Sequence, residues 1–148
     1  VILAIDFDGT LVSQFRPYDD LTSPLQLNPG ARGALVALKA AGHTIVVFSA
    51  RASAWVRLDP RTDPLVRAGA RKVDLADWYR KQPLHEARYQ EMVKFCREEL
   101  AGLVDAVDDG LQGKPQADVF IDDRALRYDP GGNFGYTWDE IRSVYGRE

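Results

Sequence analysis

Hydrophobic residues along this chain fall into short unbroken runs and into longer stretches where they recur every three or four positions. Val1-Ile-Leu-Ala-Ile5 and Thr44-Ile-Val-Val-Phe48 are runs of the first kind. Such a run, ended abruptly by polar residues, suits a strand buried on both faces of a parallel sheet. Two weaker stretches predict a short strand within Leu103–Val107 and a further buried strand from Asp118 to Ile121. Helical spacing lies between them. Ala31, Leu35, Leu38 and Ala41 share one helix face, with Asn28-Pro29 as a capped start and Gly42 as a stop. A second helix is expected from His85 onward, with Tyr89, Met92, Val93, Cys96, Leu100 and Leu103 on one stripe. Thr137-Trp-Asp-Glu140 reads as a capping box opening a last short helix through Ile141, Val144 and Tyr145.

Two segments lack such periodicity. Residues 11–27 contain two prolines and the pair Asp19-Asp20, and read as a loop or small flap. Residues 52–84 hold Trp55, Trp78, Tyr79 and three prolines, and read as an irregular or helical insertion. Strands alternating with helices predict an α/β chain with right-handed crossovers, so successive strands end at the same edge of one sheet. A chain of 148 residues is expected to form one domain spanning 1–148.

Composition changes this picture little, and charge changes it locally. Hydrophobic residues make up 45% and charged residues 28%, which is ordinary globular material, and no apolar run reaches the length of a membrane span. Cys96 is the single cysteine, which rules out an internal disulfide or a cysteine-based zinc site and fits a reducing cytoplasm. No signal peptide is recognisable. The net charge of −3 argues against general nucleic-acid binding. From Arg51 to Lys81, however, eight Lys/Arg face four Asp/Glu, so that segment is +4 and the remainder −7. The positive segment is either a solvated surface or a basic rim over an anion site.

The candidate chemistry lies at the ends of the strands. Asp6-Phe-Asp8-Gly9-Thr10 follows the first run, and its two carboxylates can share one small volume while Phe7 turns inward. Paired acids of this kind bind a hard cation such as Mg²⁺, or divide into a charged and a protonated member. Ser49, followed by Ala50-Arg51, ends the second run; without G-x-S-x-G and without a base it is a hydrogen-bonding group, not a nucleophile. Asp122-Asp123-Arg124 ends the Asp118–Ile121 run, with Lys114 just ahead of it. His85-Glu86 begins like a zinc-protease helix, but residue 89 is Tyr and the motif fails.

Taken in order, Asp6-x-Asp8-Gly9-Thr10, Ser49, Lys114 and Asp122-Asp123 resemble the haloacid dehalogenase superfamily of phosphohydrolases. The likeness spans nearly the whole chain except residues 52–84. It implies a three-layer α/β/α Rossmann-like fold with a central, mainly parallel sheet, and a flap at 11–27 in place of a large cap. It further implies Mg²⁺-dependent hydrolysis of a phosphomonoester through an aspartyl-phosphate. Asp6 would be the nucleophile and Asp8 the acid and base. Thr10, Ser49, Arg51 and Lys114 would bind the phosphoryl group, with Lys72 a rival for the lysine role. Asp6, the Asp8 carbonyl and Asp122 would hold the metal, and Asp123 would join through water or orient Lys114. Arg124 flanks the site as a further cation.

The expected substrate is a small phosphorylated molecule, a sugar phosphate or nucleotide ahead of a polynucleotide end, chosen by residues 52–84 through Trp55, Trp78 and Tyr79 and the cations Arg57, Arg61, Arg67, Arg71 and Lys72. Three rivals use similar parts. A receiver-like phospho-acceptor domain places its acidic pair first and its phosphorylated Asp mid-chain, against the order here. A glycosyltransferase DxD serves a nucleotide-sugar site away from the extreme N-terminus. A non-catalytic phosphate-binding module would have to retain a costly cluster of acids.

Overall fold

The computed structural model describes residues 1–146. Strands β1 (Ile2–Asp6), β2 (Thr44–Phe48), β3 (Ala106–Val107) and β4 (Val119–Ile121) form one sheet in the order β3-β2-β1-β4, with all three pairings parallel. Helix α1 (Ala31–Ala40) joins β1 to β2. Between β2 and β3 lie α2 (Ala54–Arg57), α3 (Pro64–Arg67) and the long α4 (Leu75–Glu98); α5 (Trp138–Tyr145) follows β4. This is the expected mixed α/β, Rossmann-like arrangement.

Ile5 of β1 and Ile45 and Val47 of β2 meet Leu35 of α1 and Met92 and Cys96 of α4 in one buried cluster. Phe7 and Val12 of the following loop are fully buried there, and Phe95 meets the Phe7 ring edge-on at 6.0 Å. Burial pushes the Cys96 thiol up to about 12, so it packs as an apolar group. Burying each large side chain of this cluster is worth about 1.5–3 kcal/mol.

The two shorter strands start later than their apolar runs predict, and both for one reason. Asp105 Oδ2 accepts from the Ile45 amide (2.7 Å) and Asp118 Oδ2 from the Ile2 amide (2.7 Å), so a side chain supplies the acceptor where a further backbone rung would stand. Leu103 and Val104 pack against the core from a turn and leave only Ala106–Val107 as β3. Strand β4 is an edge strand, with Val119 45% and Ile121 38% exposed, where the sequence suggested a buried one.

Three helix boundaries also differ. Gly30, at φ 81°, is the N-cap of α1. Asn28 instead donates its side-chain amide to the carbonyls of Thr10 (2.9 Å) and Val12 (3.4 Å), pinning the start of the flap. Helix α4 begins ten residues ahead of His85 and continues through Pro83. Asp74 caps it, Trp78 Nε1 donates to the Val56 carbonyl (3.1 Å), and Gln82 Nε2 donates to the Arg57 carbonyl (3.0 Å). These contacts hold the first turns in place, offsetting the bond that proline removes. The stripe ends with the helix, so Leu100 and Leu103 reach the core from the following turn. The capping box on Thr137 and Glu140 and the glycine stop after α1 are as expected.

Candidate functional site

Register alone assembles the strand-end residues. Asp6 stands opposite Phe48, and Ile5 opposite Ile121, so Asp6, Ser49 and Asp122 emerge side by side at the carboxyl edge of β1, β2 and β4. A cavity of about 560 Å³ opens there, and Asp6, Asp8, Ser49, Arg51, Asp122 and Arg124 all line it. Flap residues Gln14, Arg16, Tyr18 and Leu25, together with Arg88 from α4, complete its walls.

Carboxylate oxygens of Asp6, Asp122 and Asp123 lie within 4.8 Å of one another. Burial, then repulsion by Asp122 and contact with Asp123, raise the Asp6 carboxyl to about 7. Thr10 Oγ1 donates at long range to Asp6 Oδ2 (3.4 Å) and Asp123 Oδ1 (3.5 Å). Gln14 Nε2 bridges the Asp8 carbonyl and Asp123 Oδ2, each at 3.0 Å. Gly9 makes that approach possible, because a Cβ there would stand 1.7 Å from Gln14 Nε2 and its φ is 83°. The donor set, three carboxylates beside a backbone carbonyl with no cation in salt-bridge range among the described residues, fits an oxygen-loving divalent ion such as Mg²⁺.

The sign of a pH effect follows. Asp6 titrates at 3.8 when unperturbed and at about 7 in the fold, so the folded state holds its proton more tightly and loses stability as pH rises from about 4 to about 7. In EDTA the melting temperature should therefore fall between pH 5 and pH 8, by roughly 3–6 °C for about 1–2 kcal/mol once water around the half-buried cluster is allowed for. Asp6→Asn should flatten the slope. A pH slope identical in the wild type and in Asp6→Asn would show that the acids do not repel.

Asp8 is held differently. Arg51 donates Nε to Asp8 Oδ2 and Nη2 to Asp8 Oδ1, both at 2.7 Å, a two-pronged pair. Its Nη1 donates to the Arg88 carbonyl (2.9 Å) and Glu91 Oε1 (3.1 Å), and Glu91 also pairs with Arg16. Burial opposes the charge on Arg51, but its bonds to Asp8 and Glu91 outweigh that and hold the guanidinium above its usual range. The sequence suggested a phosphate-binding Arg51; it lines the cavity, but it is only 6% exposed and its guanidinium is engaged by Asp8, Glu91 and the Arg88 carbonyl. Ser49 caps the short 3-10 turn Ala50–Ala52 by accepting from the Arg51 amide (3.1 Å), which leaves its own proton for a ligand oxygen.

Neither candidate lysine reaches the acids. Lys114 Nζ rests 3.9 Å from the Phe120 ring centre, outside the cavity that holds Asp6. Lys72 lines an adjoining cavity. Arg88 is the cation that sequence reasoning missed, since a helical Arg carries no local signal of its surroundings. It stacks 3.9 Å over Tyr18, donates to the Tyr18 carbonyl (2.9 Å), and has no carboxylate in salt-bridge range among the described residues. Burial and the charge of Arg51 lower it below the usual guanidinium range, as for a cation short of counter-charge.

The basic segment is also reassigned in part. Arg57 is buried, bonded to Glu86 (3.0 Å) and to the carbonyls of Ala52 (3.2 Å) and Asp109 (3.0 Å), and stacked 3.6 Å over Tyr89. It ties the insertion to α4 and the β3 end. Arg61 pairs with Asp59 on the surface, and Tyr79 is 65% exposed beside Trp78. Of the residues expected to meet substrate, Trp55, Trp78, Arg71 and Lys72 line the second cavity.

No protein-family profile and no curated protein matches the chain. Among solved structures the chain is similar to a conserved protein from Bacteroides thetaiotaomicron, at 20% identity, covering 99% of this chain and 91% of that one, with a TM-score of 0.44. No helix among the described residues is long and apolar enough to cross a membrane.

Proposed function

We propose that the chain is a Mg²⁺-dependent phosphomonoester hydrolase working through an aspartyl-phosphate on Asp6. The observation that carries this reading is the pairing of two unlike aspartates two residues apart: Asp6 among Asp122 and Asp123, Asp8 gripped by Arg51. On this reading Asp6 would bear charge beside a bound cation and Asp8 would handle a proton, both at the mouth of one cavity.

Asp6, Asp122, Asp123 and the Asp8 carbonyl would hold Mg²⁺, with Gln14 giving up its bonds to the last two. When bound, the ion would supply positive charge that keeps Asp6 ionised and offsets its repulsion from a phosphate. A carboxylate oxygen of Asp6 attacks phosphorus, and the bond to the leaving oxygen breaks. Asp8 donates the proton that the leaving oxygen takes up. Both Asp8 oxygens accept from Arg51, so carrying a proton requires one of those bonds to loosen, and the pair holds Asp8 oriented between steps. Asp8 then takes a proton from water, whose oxygen attacks phosphorus and releases Asp6 and inorganic phosphate. Arg88 and the Ser49 hydroxyl bind the phosphoryl oxygens that do not react.

The test is phosphate release from a panel of phosphomonoesters, beginning with p-nitrophenyl phosphate, in Mg²⁺ and in EDTA. Many turnovers in Mg²⁺ and none in EDTA are expected, and Asp122→Ala should raise the Mg²⁺ concentration for half-maximal rate by about tenfold or more. Absence of release from every ester in Mg²⁺, or a single stoichiometric phosphorylation of Asp6 without turnover, would overturn the reading.

A further inference from the structure

The insertion between β2 and the body of α4 encloses a second cavity of about 390 Å³, within the size range of small-molecule sites. Trp55 and Val56 from α2, Pro60 from the next turn, Val66 from α3, Val73 just before α4 and Trp78 from its first turn give it a broad apolar surface, beside which Asp63, Arg71, Lys72 and His85 also line it. This cavity is not separate from the first. Asp8, Tyr18, Ala50, Arg51 and Arg88 line both, so the two share a wall made of the proposed proton donor and the cation beside it.

That shared wall gives the second cavity a direction. If phosphorus is bonded to Asp6 and the leaving oxygen faces Asp8, whatever is attached to that oxygen continues past Asp8, towards Trp55 and Trp78. We propose that the leaving group of the substrate is a flat aromatic or heteroaromatic ring, seated between the two tryptophans in the cavity built by residues 55–78. This rests on the reading of Asp6 as the phosphoryl acceptor, and adds to it the class of molecule being hydrolysed.

Three observations favour a ring over a sugar or a short aliphatic chain. Trp78 is held by its indole N–H on the Val56 carbonyl and by an edge-to-face contact with Tyr79 (5.1 Å), which fix its orientation in the cavity wall. Trp55 is only half-buried although it stands in an apolar wall, so one of its surfaces is left for a ligand. Lys72 lines the cavity with no carboxylate in salt-bridge range among the described residues, and a cation so placed is attracted to the face of an electron-rich ring.

The experiment compares 1-naphthyl phosphate with glycerol 1-phosphate as substrates for the wild-type chain and for Trp55→Ala, in Mg²⁺. It is joined by calorimetric titration with 1-naphthylmethylphosphonate, which cannot be hydrolysed at an ester bond. The wild type should favour the naphthyl ester by about tenfold or more in kcat/KM, and Trp55→Ala should narrow that ratio by roughly fivefold, chiefly through KM. Trp55→Phe, which keeps a ring and guards against a misfolded alanine variant, should retain most of the preference. Equal use of the two esters by the wild type, or a ratio untouched by Trp55→Ala, would overturn the inference while leaving the phosphatase reading intact. Tight phosphonate binding that weakens in Trp55→Ala, without hydrolysis of either ester, would uphold the aromatic cavity and overturn the phosphatase reading instead.

Discussion

Asp6→Asn is expected to cut phosphate release by roughly 10⁴-fold or more, because the amide keeps the size of the side chain while losing the charge that attacks phosphorus. The same change should leave the fold intact. Asp6 is the member of the acid cluster whose ionisation the surroundings oppose most, through burial and through Asp122 and Asp123, so a neutral amide relieves repulsion there. The variant should melt at or above the wild-type temperature at pH 8 in EDTA, and its melting temperature should gain less from Mg²⁺. A folded variant that retained more than a small fraction of activity would exclude Asp6 as the nucleophile, and a strongly destabilised one would mean that the carboxylate has a structural partner.

Arg51→Met should give the largest loss of stability among changes in the site. Arg51 is almost wholly buried and bonded to Asp8 and Glu91, whose side chains are 31% and 19% exposed. Removing it strands Asp8 against an apolar thioether, while Glu91 keeps Arg16. Breaking a buried pair by removing one partner costs about 3–5 kcal/mol, and the partial exposure of Asp8 lowers the expectation to about 2–3 kcal/mol, or roughly 5–10 °C in melting temperature. Adding Asp8→Asn should recover part of that loss, since the stranded charge disappears. Activity should fall in Arg51→Met even at temperatures where it stays folded, with the KM of a small aryl phosphate changing less than kcat, because Asp8 loses its orientation. A loss below about 0.5 kcal/mol by chemical denaturation would show that the pair is not formed in solution.

The residues at the strand ends were legible from the chain alone because each follows directly on an apolar run. Once Val1–Ile5 and Thr44–Phe48 are strands of one parallel sheet, right-handed crossover connections bring Asp6 and Ser49 to one edge, whatever the loops do. Helix faces with clear spacing, such as Leu35 and Leu38 against the sheet, were legible for the same reason: local periodicity states which side is buried. The C-terminal capping box was equally local.

Partner choice was decided only by the tertiary structure, because a charged side chain finds its counter-charge across the chain. Arg51 and Arg88 look alike in sequence. One is consumed by Asp8, forty-three residues away, and the other lines the cavity, stacked on Tyr18. Lys114 precedes the acidic strand yet lies over Phe120 outside the cavity, since adjacency in sequence does not set which face of an edge strand a preceding loop covers. The insertion is the clearest case. Its composition announced only tryptophans and positive charge; burial of Arg57 against Tyr89 and Glu86, and anchoring of Trp78 on Val56, turned those residues into a walled cavity beside Asp8. Local pattern therefore determined the strands and the acids at their ends, while long-range packing and pairing, which no window of sequence contains, decided which cations serve the fold and which remain for a ligand.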